Sequence, residues 1–374
     1  MQHIENTVYS KRIGKLRKMI TDKSCDTAWI IQPENRRYLS GFTADDMQFI
    51  ESSGSLFINK TKCVLVTDSR YASEAEEETI DFEVQTLKQS SIEGLPELVT
   101  GMGTKKLGFE EEYLTWGLYQ RLNEKLASFS PPIFLEPLNG LVEQMREVKD
   151  DLEIEAIEAS AHLISDILGD VIAGLKPGVT EKQVAWQIEG LAREAGAEGL
   201  AFPAIVASGP NSALPHAVPS DRELGKAEPI ILDVGVKLNG YRSDMTRTVF
   251  LGEPGPGFKK IYMTVRKAQL AALEEIRPNV NSNHPDTIAR RVISDAGFGK
   301  YFGHSLGHGV GLATHERPRL GPLKPVKLKR GMVVTVEPGI YIPGKGGVRL
   351  EQMVVIEKNG SRILTRNRNF YEFK

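Results

Sequence analysis

Short apolar runs alternate with segments of helical periodicity in the first part of the chain. The apolar runs predict a strand, a hairpin and a second strand, at residues 26–32, 54–67 and 106–110. Helical spacing and helix-start residues predict helices at residues 9–21, 33–39, 68–78, 95–99 and 114–127. Asp68 is predicted to cap the third of these helices. The alternation of strands and helices predicts an α/β domain over residues 1–140.

A more helical pattern begins after residue 140. The charged residues 142–158 are predicted to be helical and to start a second domain, residues 141–374. Further helices are predicted over residues 151–173, from 180 onward, over 256–276 and over 284–296. Thr180 and Gln183 have the spacing of a capping box at the start of the second of these helices. A strand over residues 202–208 and two later hairpins give the predicted α+β domain, an antiparallel sheet flanked by helices.

The first hairpin of the second domain carries two carboxylates. The apolar residues 229–232 lead directly into Asp233, the dipeptide Asn239-Gly240 predicts a tight turn, and the chain returns with Asp244. A hairpin of this kind brings Asp233 and Asp244 near each other. Two carboxylates inside an apolar sheet repel each other and are costly to remove from water, so we expect a positive charge between them.

The second hairpin repeats this arrangement further along the chain. The β-rich residues 332–336 lead into Glu337, a turn rich in proline and glycine follows, and residues 348–356 return with Glu351. In both hairpins an acidic residue at a strand end therefore faces an acidic residue on the return strand. This correspondence predicts an internal two-fold relation within the domain.

The segment between the two hairpins is rich in histidine and glycine. It reads GHSLGHGVGLATHE and contains His304, His308 and His315. An imidazole from this segment can supply the nitrogen ligand that the carboxylates lack. Four carboxylates balance the charge of two divalent cations, which predicts a two-metal centre. Ligands of this hardness favour Mn, with Co, Zn or Fe as competitors.

Length, charge and cysteine content exclude several classes of protein. The 374 residues suffice for two domains, and the net charge of −2 lacks the basic excess of a nucleic-acid-binding protein. The first residues lack the apolar region of a signal peptide, and no apolar window reaches the length of a membrane helix. Cys25 and Cys63 are predicted to be free thiols, which fits a reducing compartment. We therefore expect a cytoplasmic protein that binds neither nucleic acid nor membranes.

Several motifs resemble those of a known enzyme family. The segments LDVGVKLNGYRSDMTRT, GHSLGHGVGLATHE, VEPGIY and VRLEQMV resemble the metallopeptidase clan of Xaa-Pro dipeptidases (prolidases) and aminopeptidase P, which has the pita-bread fold. The segments PENRRYLSGFTADD and VLVTDSRYASEAEEE resemble the N-terminal domain of creatinase and prolidase. The resemblance spans nearly the whole chain and implies a pita-bread catalytic domain after a creatinase-type N-terminal domain.

The resemblance implies which residues bind the metal ions. Asp233 would bind one metal, and His308 and Glu337 would bind the other. Asp244 and Glu351 would bridge both metals. All the ligands that the family uses are therefore present in this chain.

The resemblance also implies roles for residues around the metals. His216 would hydrogen-bond the substrate, and His315 would stabilise the tetrahedral intermediate. His304 would lie in the substrate pocket, and Arg349 would meet the substrate or a neighbouring acid. Thr246 would act from behind the ligands by steadying Asp244.

The implied reaction is hydrolysis of the peptide bond before proline. A hydroxide held by both metals would attack the carbonyl, His315 would help to hold the oxyanion, and Glu337 would carry the proton to the prolyl nitrogen. The substrates would be dipeptides, or longer peptides with proline at the second position. The family also implies a homodimer or a larger homo-oligomer.

Other functions share this fold. A creatinase-type amidinohydrolase and a non-catalytic binding protein usually lack part of the ligand set, and a methionine aminopeptidase has only the catalytic half. An intact ligand set after an N-terminal domain therefore favours the Xaa-Pro peptidase. The sequence leaves open the choice between dipeptidase and aminopeptidase P, the preferred first residue of the substrate, the metal used in the cell and the oligomeric state.

Overall fold

The computed structural model describes residues 2–46, 52–86, 91–366 and 370–373. The chain divides into two units, Met1–Arg146 and Glu147–Lys374. Each unit has its own sheets and its own buried apolar cluster. The domain ranges 1–140 and 141–374 stay a prediction from the sequence.

The first unit is built on a mixed sheet with helices packed against it. Its strands in the described residues are β1 Thr27–Ile30, β2 Ser55–Asn59, β3 Cys63–Thr67, β4 Glu83–Thr86, β5 Lys106–Phe109 and β6 Phe134–Pro137. Its helices there are α1 Gln2–Asp22, α2 Pro33–Ser40, α3 Ala72–Glu78, α4 Ser91–Gly101, α5 Trp116–Ala127 and α6 Leu141–Arg146. The strand order is β4-β3-β2-β1-β5-β6, with β1–β5, β3–β4 and β5–β6 parallel. The predicted α/β class is confirmed.

One apolar cluster of the first unit lies between this sheet and helices α4 and α5. Trp29 of β1 stacks on Phe57 of β2 with ring centroids 5.9 Å apart. Leu107 of β5 and Leu122 of α5 are fully buried in the same cluster. Burial of such side chains is the main favourable contribution to folding, at about 25 cal/mol per Å² of apolar surface.

Two details of the first unit differ from the sequence predictions. Asp68 does not cap the next helix, because α3 begins only at Ala72. The Asp68 carboxylate accepts instead from the backbone N–H and the guanidinium of Arg70. The edge strands β4 and β6 were not predicted. Their residues are only partly buried, so no apolar run marks them in the sequence.

A buried carboxylate joins β1 to the end of β5. Glu110 accepts hydrogen bonds from the backbone N–H groups of Ile31 at 2.6 Å and Gln32 at 2.7 Å. The Asn35 side-chain amide donates to Glu110 at 2.6 Å and to Glu143 at 2.8 Å. Burial raises the pKa of Glu110 to about 7, although the backbone hydrogen bond from Gln32 acts to lower it.

The second unit contains several small sheets and longer helices. Its helices in the described residues are α7 Asp151–Gly174, α8 Glu181–Glu194, α9 Pro256–Glu274 and α10 Asn283–Asp295, with 3₁₀ turns at Gly209–Ala213 and Gly299–Tyr301. Its strands there are β7 Gly199–Leu200, β8 Ile205–Ser208, β9 Ile230–Val234, β10 Val236–Leu238, β11 Tyr241–Arg242, β12 Met245–Val249, β13 Gly307–Gly309, β14 Glu316–Leu320, β15 Val333–Val336, β16 Gly339–Ile342, β17 Gly346–Arg349, β18 Gln352–Ile356 and β19 Ser361–Ile363.

Helices cover the strands of the second unit in two groups. Strands β12-β9-β8 and β11-β10-β7 form two sheets, and α7 and α8 pack their apolar residues against the first of them. Strands β14-β13-β15-β18-β19 and the pair β16-β17 form the others, and α9 and α10 share their apolar cluster. The predicted α+β class is confirmed.

Both predicted hairpins are present, and each is split into two strand pairs. In the first, Asp233 of β9 faces Thr246 of β12, and the same register continues where Lys237 of β10 faces Arg242 of β11. The break lies at Gly235, where an added Cβ would be 1.9 Å from the backbone oxygen of Ser243. Only glycine allows the two strands to approach so closely.

The second hairpin places its two acidic residues opposite each other. Val336 of β15 faces Gln352 of β18, and Gly339 of β16 faces Arg349 of β17. Because both strand pairs keep one register, Glu337 and Glu351 occupy facing positions between them. The pleat of the strands thus sets where these carboxylates lie.

Hydrogen bonds join the two hairpins side by side. The Glu351 backbone N–H donates to the Thr246 carbonyl at 3.1 Å, and the Thr248 hydroxyl donates to the Arg349 carbonyl at 2.8 Å. The fully buried Arg247 donates to the Glu351 carbonyl at 2.6 Å. The acidic residues of both hairpins therefore converge on one region.

The start of the second unit confirms one prediction and corrects another. Thr180 and Gln183 form the predicted capping box at the head of α8. The predicted helix over residues 142–158 is wrong as one element, because α6 ends at Arg146 and α7 begins at Asp151, which Asp150 caps. The intervening chain is fixed by a hydrogen bond from the Lys149 backbone N–H to the Gly331 carbonyl at 2.9 Å.

Cys25 and Cys63 are both free thiols, as predicted. Among the helices that the structure describes, none combines the length and the apolar character needed to cross a membrane.

We expect the substitution Glu110→Gln to change how stability depends on pH. The pKa of Glu110 rises from 4.5 to about 7 in the folded protein, so the folded state binds the proton more tightly than the unfolded chain does. The stabilisation from this carboxyl is complete below pH 4.5 and is lost as the pH rises through 7, a change of about 3 kcal/mol. Wild type should lose this stability relative to Glu110→Gln, measured by denaturant unfolding across that range.

Glu124 of α5 is exposed and provides the control. Glu124→Gln should keep the wild-type dependence of the unfolding free energy on pH. The free energies of unfolding of wild type and Glu110→Gln should therefore differ by an amount that changes between pH 4.5 and 7. A constant difference would contradict the assignment of this titration to Glu110.

Candidate metal centre and substrate cavity

A cavity of about 710 Å³ opens within the second unit, and its lining residues lie between positions 202 and 349. The predicted site residues in its wall are His216, Asp233, Asp244, His304, His308, His315, Glu337 and Arg349. Thr246 and Glu351 are buried behind this wall. The structure therefore brings the residues predicted from distant parts of the sequence into one region.

Three carboxylates form the centre of the site. Asp233, Asp244 and Glu351 each offer an oxygen atom, and these atoms lie within 4.8 Å of one another. Asp233 is on β9, Asp244 precedes β12 and Glu351 precedes β18, so the join between the hairpins produces the cluster. The predicted proximity of Asp233 and Asp244 is confirmed.

His308 and Glu337 lie beside this cluster. His308 Nε2 is 3.6 Å from Asp244 Oδ2 and 3.4 Å from Glu337 Oε1. The other ring nitrogen, Nδ1, is 3.0 Å from the Gly309 carbonyl, which leaves Nε2 to face the acids. The Thr335 hydroxyl donates to Glu337 Oε1 at 3.1 Å and so fixes that carboxylate.

Burial, with a further contribution from neighbouring acids, shifts the pKa of several carboxyl groups in the site. Burial raises the pKa of Asp244 well above its usual value, and the neighbouring Glu351 raises it further. Burial also raises the pKa of Glu337, again with help from Glu351, and raises the pKa of Glu351 to about 7. Without further positive charge the site would hold protons instead of being fully ionised.

Arg349 supplies one positive charge to the cluster. Its Nη2 donates to Asp233 Oδ2 at 2.6 Å, and its Nη1 donates to the Tyr341 hydroxyl at 2.8 Å. The same hydroxyl lies 2.9 Å from His304 Nε2. Burial lowers the pKa of His304 to about 4, so this imidazole is neutral at neutral pH. Arg349, Tyr341 and His304 thus form a chain from the carboxylates to the cavity wall.

Thr246 has a different partner from the one predicted. Its hydroxyl donates to Glu351 Oε2 at 2.9 Å and accepts from Arg349 Nε at 3.2 Å, instead of steadying Asp244. The reason is the register, since the Thr246 side chain lies next to the incoming chain at Glu351 where the two hairpins join. The residue still supports a predicted ligand from behind.

The donor set fits divalent metal ions. Among the described residues, Asp233 Oδ1 and Glu351 Oε1 are buried oxygens without a hydrogen-bond partner. Buried acceptors of this kind are rare and costly in folded proteins. Asp244 and Glu337 add two further carboxylates to the site, and the single guanidinium of Arg349 does not balance the charge of all four. Hard cations bound by oxygen and imidazole ligands would satisfy both the unpartnered atoms and the charge.

The other two predicted histidines are exposed at the cavity wall. His315 lies with its ring centroid 4.3 Å from that of His308, and burial and the neighbouring His216 lower the pKa of His315. His216 lies in the loop between β8 and β9. Burial, followed by the charge of His315, also lowers the pKa of His308 to about 4, which keeps it neutral as a metal ligand must be.

Several residues of the site were not predicted from the sequence. Arg319 lines the cavity, and its Nε donates to the Ser305 hydroxyl at 2.9 Å. Its position one residue before the end of a strand gives no signal, apart from the alternation that places it on an exposed face of β14. The buried Tyr341 was likewise missed, because a tyrosine in an apolar strand is indistinguishable from a core residue.

A buried ion pair supports the segment that carries His315. Lys149 Nζ lies 3.0 Å from Glu316 Oε2, and both side chains are almost completely buried. The second oxygen of Glu316 accepts from the Ala313 backbone N–H at 2.9 Å. This ion pair therefore fixes the turn just before β14.

Known protein families match both units of the chain. The model of metallopeptidase family M24 matches residues 155–358. The model of the creatinase/prolidase N-terminal domain matches residues 12–148.

Known proteins resemble the chain over almost its whole length. An uncharacterized peptidase of Bacillus subtilis is 38% identical, with 95% of this chain and 97% of the relative covered. A solved structure of an Xaa-Pro dipeptidase from Bacillus anthracis is similar with a TM-score of 0.90 and 34% identity, and covers 98% of this chain and 99% of its own. A solved structure of an X-Pro aminopeptidase from Thermotoga maritima is similar with a TM-score of 0.87 and 35% identity, and covers 97% of this chain and 99% of its own.

We expect Lys149→Met to destabilise the protein by about 3–5 kcal/mol, because it leaves the buried Glu316 carboxylate without its partner. The exposed pair of Lys182 and Asp221 offers a matched control, with a shorter separation of 2.8 Å. Lys182→Met should cost less than about 1 kcal/mol, since water screens an exposed ion pair. Denaturant unfolding measures both values, and equal costs for the two substitutions would show that burial does not govern them.

Proposed function

Because the chain belongs to metallopeptidase family M24, we propose that this enzyme hydrolyses the bond before proline in dipeptides or at the N-termini of peptides. The observation that carries the proposal is the convergence of Asp233, Asp244 and Glu351, with unpartnered oxygens, beside His308 and Glu337. The relatives named Xaa-Pro dipeptidase and X-Pro aminopeptidase support the substrate class. They give no support to an amidinohydrolase or a non-catalytic binding protein.

Five residues would hold two divalent metal ions. Asp233 would bind one, His308 and Glu337 would bind the other, and Asp244 and Glu351 would bind both. When bound, the metals supply Lewis-acid chemistry that lowers the pKa of a water molecule and polarises a carbonyl. We propose Mn as the metal, on the basis of ligand hardness, with Co, Zn or Fe as alternatives.

The remaining residues would position the substrate and move its protons. Glu337, fixed by Thr335, would carry a proton to the prolyl nitrogen. His216 and His315, both exposed at the cavity wall, would donate hydrogen bonds to the substrate and to the developing oxyanion. His304 would form part of the wall of the substrate pocket, where the hydroxyl of Tyr341 holds it.

We propose that Arg319 receives the C-terminal carboxylate of a dipeptide. It brings a guanidinium to the cavity wall, and the Ser305 hydroxyl orients it through Nε. A guanidinium matches a carboxylate in charge and in planar geometry. A dipeptide ends in a carboxylate directly after proline, whereas a longer peptide has a neutral amide there. This difference favours dipeptidase activity over aminopeptidase activity.

Other properties are proposed on general grounds. Free cysteines fit a cytoplasmic location, and the balanced composition fits a protein that binds neither nucleic acid nor membranes. We also propose a homodimer or larger homo-oligomer, as the family implies.

The first test is hydrolysis of Ala-Pro and Ala-Pro-Ala after chelation and again after Mn is restored. We expect no cleavage by the chelated protein and cleavage of Ala-Pro once Mn is added, because the ligands need the metals to activate water. Cleavage of Ala-Pro-Ala would assign aminopeptidase activity instead. If the Mn-loaded protein cuts neither peptide but cuts a Met-Ala peptide or creatine, the Xaa-Pro proposal is wrong.

The role of Arg319 is tested with Ala-Pro and its uncharged analogue Ala-Pro-amide. Arg319→Met should raise KM for Ala-Pro by about 10-fold or more, because one charge-assisted hydrogen bond to the carboxylate is lost. KM for the amide should stay nearly unchanged, since the amide carries no charge. Arg317 lies on the same strand outside the cavity lining, so Arg317→Met is the matched control and should behave like wild type. An equal rise in KM for both substrates would refute the carboxylate contact.

A further inference from the structure

A single buried carboxylate fastens both ends of the loop that carries His216. The loop runs from Ser208, the last residue of β8, to Ser220, and contains one short 3₁₀ turn. At its centre Ala217 packs into a small apolar cluster, whereas the side chains of Leu214 and Val218 are 59% and 82% exposed. Hydrogen bonds therefore contribute much of what holds the loop in place.

Glu181 supplies those hydrogen bonds. Its Oε1 accepts from the backbone N–H of Ser208 at 2.6 Å and from the Ser208 hydroxyl at 2.9 Å. Its Oε2 accepts from the backbone N–H of Ser220 at 3.0 Å and from the Ser220 hydroxyl at 2.6 Å. The Asn211 side-chain amide donates to both oxygens, at 3.2 and 3.1 Å. One fully buried carboxylate thus contacts the start, the first turn and the end of the loop.

The head of α8 provides the frame on which Glu181 acts. Glu181 is the first residue of α8, directly after the capping residue Thr180. The first N–H groups of a helix lack partners within the helix, and here they bind the end of the loop and the chain just after it. The Glu181 N–H donates to the Arg222 carbonyl at 3.0 Å, and the Lys182 N–H donates to the Ser220 carbonyl at 3.1 Å. The carboxylate is therefore attached to a rigid element.

The centre of the loop is tied to the metal-centre side. Arg349 Nη1 donates to the Pro215 carbonyl at 3.1 Å, one residue before His216. The Ala217 N–H, one residue after it, donates to the Leu214 carbonyl at 3.2 Å. These contacts hold the centre of the loop beside His216, whereas Glu181 holds its two ends.

We propose that Glu181 is a positioning residue, which holds His216 at the cavity by fastening Ser208 and Ser220. The inference rests on the proposed function of His216 as a substrate contact. No sequence motif of the metal site includes Glu181, and it lies outside the cavity lining. Its effect on catalysis therefore passes entirely through the loop.

The test compares Glu181→Gln, His216→Ala and the double variant in the Mn-loaded full-length protein with Ala-Pro. Glutamine keeps the size of the side chain but offers one acceptor oxygen where two backbone N–H groups donate. We expect Glu181→Gln to lower kcat/KM by about 10- to 100-fold, the usual cost of misplacing a substrate-contacting group. In the His216→Ala background the same substitution should cost almost nothing further, because its effect acts through His216.

An additive loss in the double variant would overturn the proposal, since a general structural defect acts independently of His216. The partly exposed Glu189 on the same helix, paired with Arg193, gives the matched control. Glu189→Gln should leave kcat/KM and its dependence on His216 unchanged. If Glu181→Gln fails to fold, Ser220→Ala removes the hydroxyl contact at 2.6 Å and should show the same coupling to His216 in weaker form.

Hydrogen exchange separates failure of this proposal from failure of the proposed function. In Glu181→Gln, backbone amides of residues 208–220 should exchange faster while those of β9 and β12 stay protected. Unchanged exchange in the loop would overturn the positioning role, whatever the enzyme acts on. Faster loop exchange in a protein whose wild type cleaves no Xaa-Pro peptide would support the positioning role and refute the substrate class.

Discussion

The arrangement of the second unit depends on one constraint, the free-energy cost of burying several carboxylates close to one another. One carboxylate oxygen from each of Asp233, Asp244 and Glu351 lies within 4.8 Å of the other two. Glu337 lines the cavity beside them. Burial and mutual repulsion raise the pKa of Asp244, so the isolated cluster resists ionisation. Only a rigid frame holds such groups together, and only added positive charge makes them stable as carboxylates. The side-by-side hairpins provide the frame, and the metals of an M24 peptidase would provide the charge.

The frame holds each acid from a different direction. Arg349 binds Asp233, the Thr246 hydroxyl binds Glu351 and the Thr335 hydroxyl binds Glu337. These supports come from strands, whose register is fixed by the hydrophobic clusters on which they pack. The carboxylate oxygens are therefore held by side chains that lie on strands. Such preorganisation is what a metal site of high affinity requires.

The sequence predicts the features that depend on local pattern. Acidic residues directly after β-rich runs, a turn dipeptide at Asn239-Gly240 and the capping box at Thr180 all reflect neighbours along the chain. Features set by distant pairing were missed. The Thr246 hydroxyl finds Glu351 because the two hairpins join, and Tyr341 bridges His304 and Arg349 across two strands. An arginine such as Arg319 signals a site only after the fold places it at a cavity.

The two proposed substrate contacts have supports outside the carboxylate cluster. His216 lies on a loop that Glu181 fastens, and His315 lies in a turn fixed by the buried pair of Lys149 and Glu316. Arg349 links these supports to the cluster, because it donates both to the Pro215 carbonyl of the loop and to Asp233. Changes at Glu181 or at the pair of Lys149 and Glu316 would therefore act first on the proposed substrate contacts, whereas changes at Arg349 would act on both sides. These separate supports give a physical reason why chains of one fold can differ around the substrate and carry the names dipeptidase and aminopeptidase.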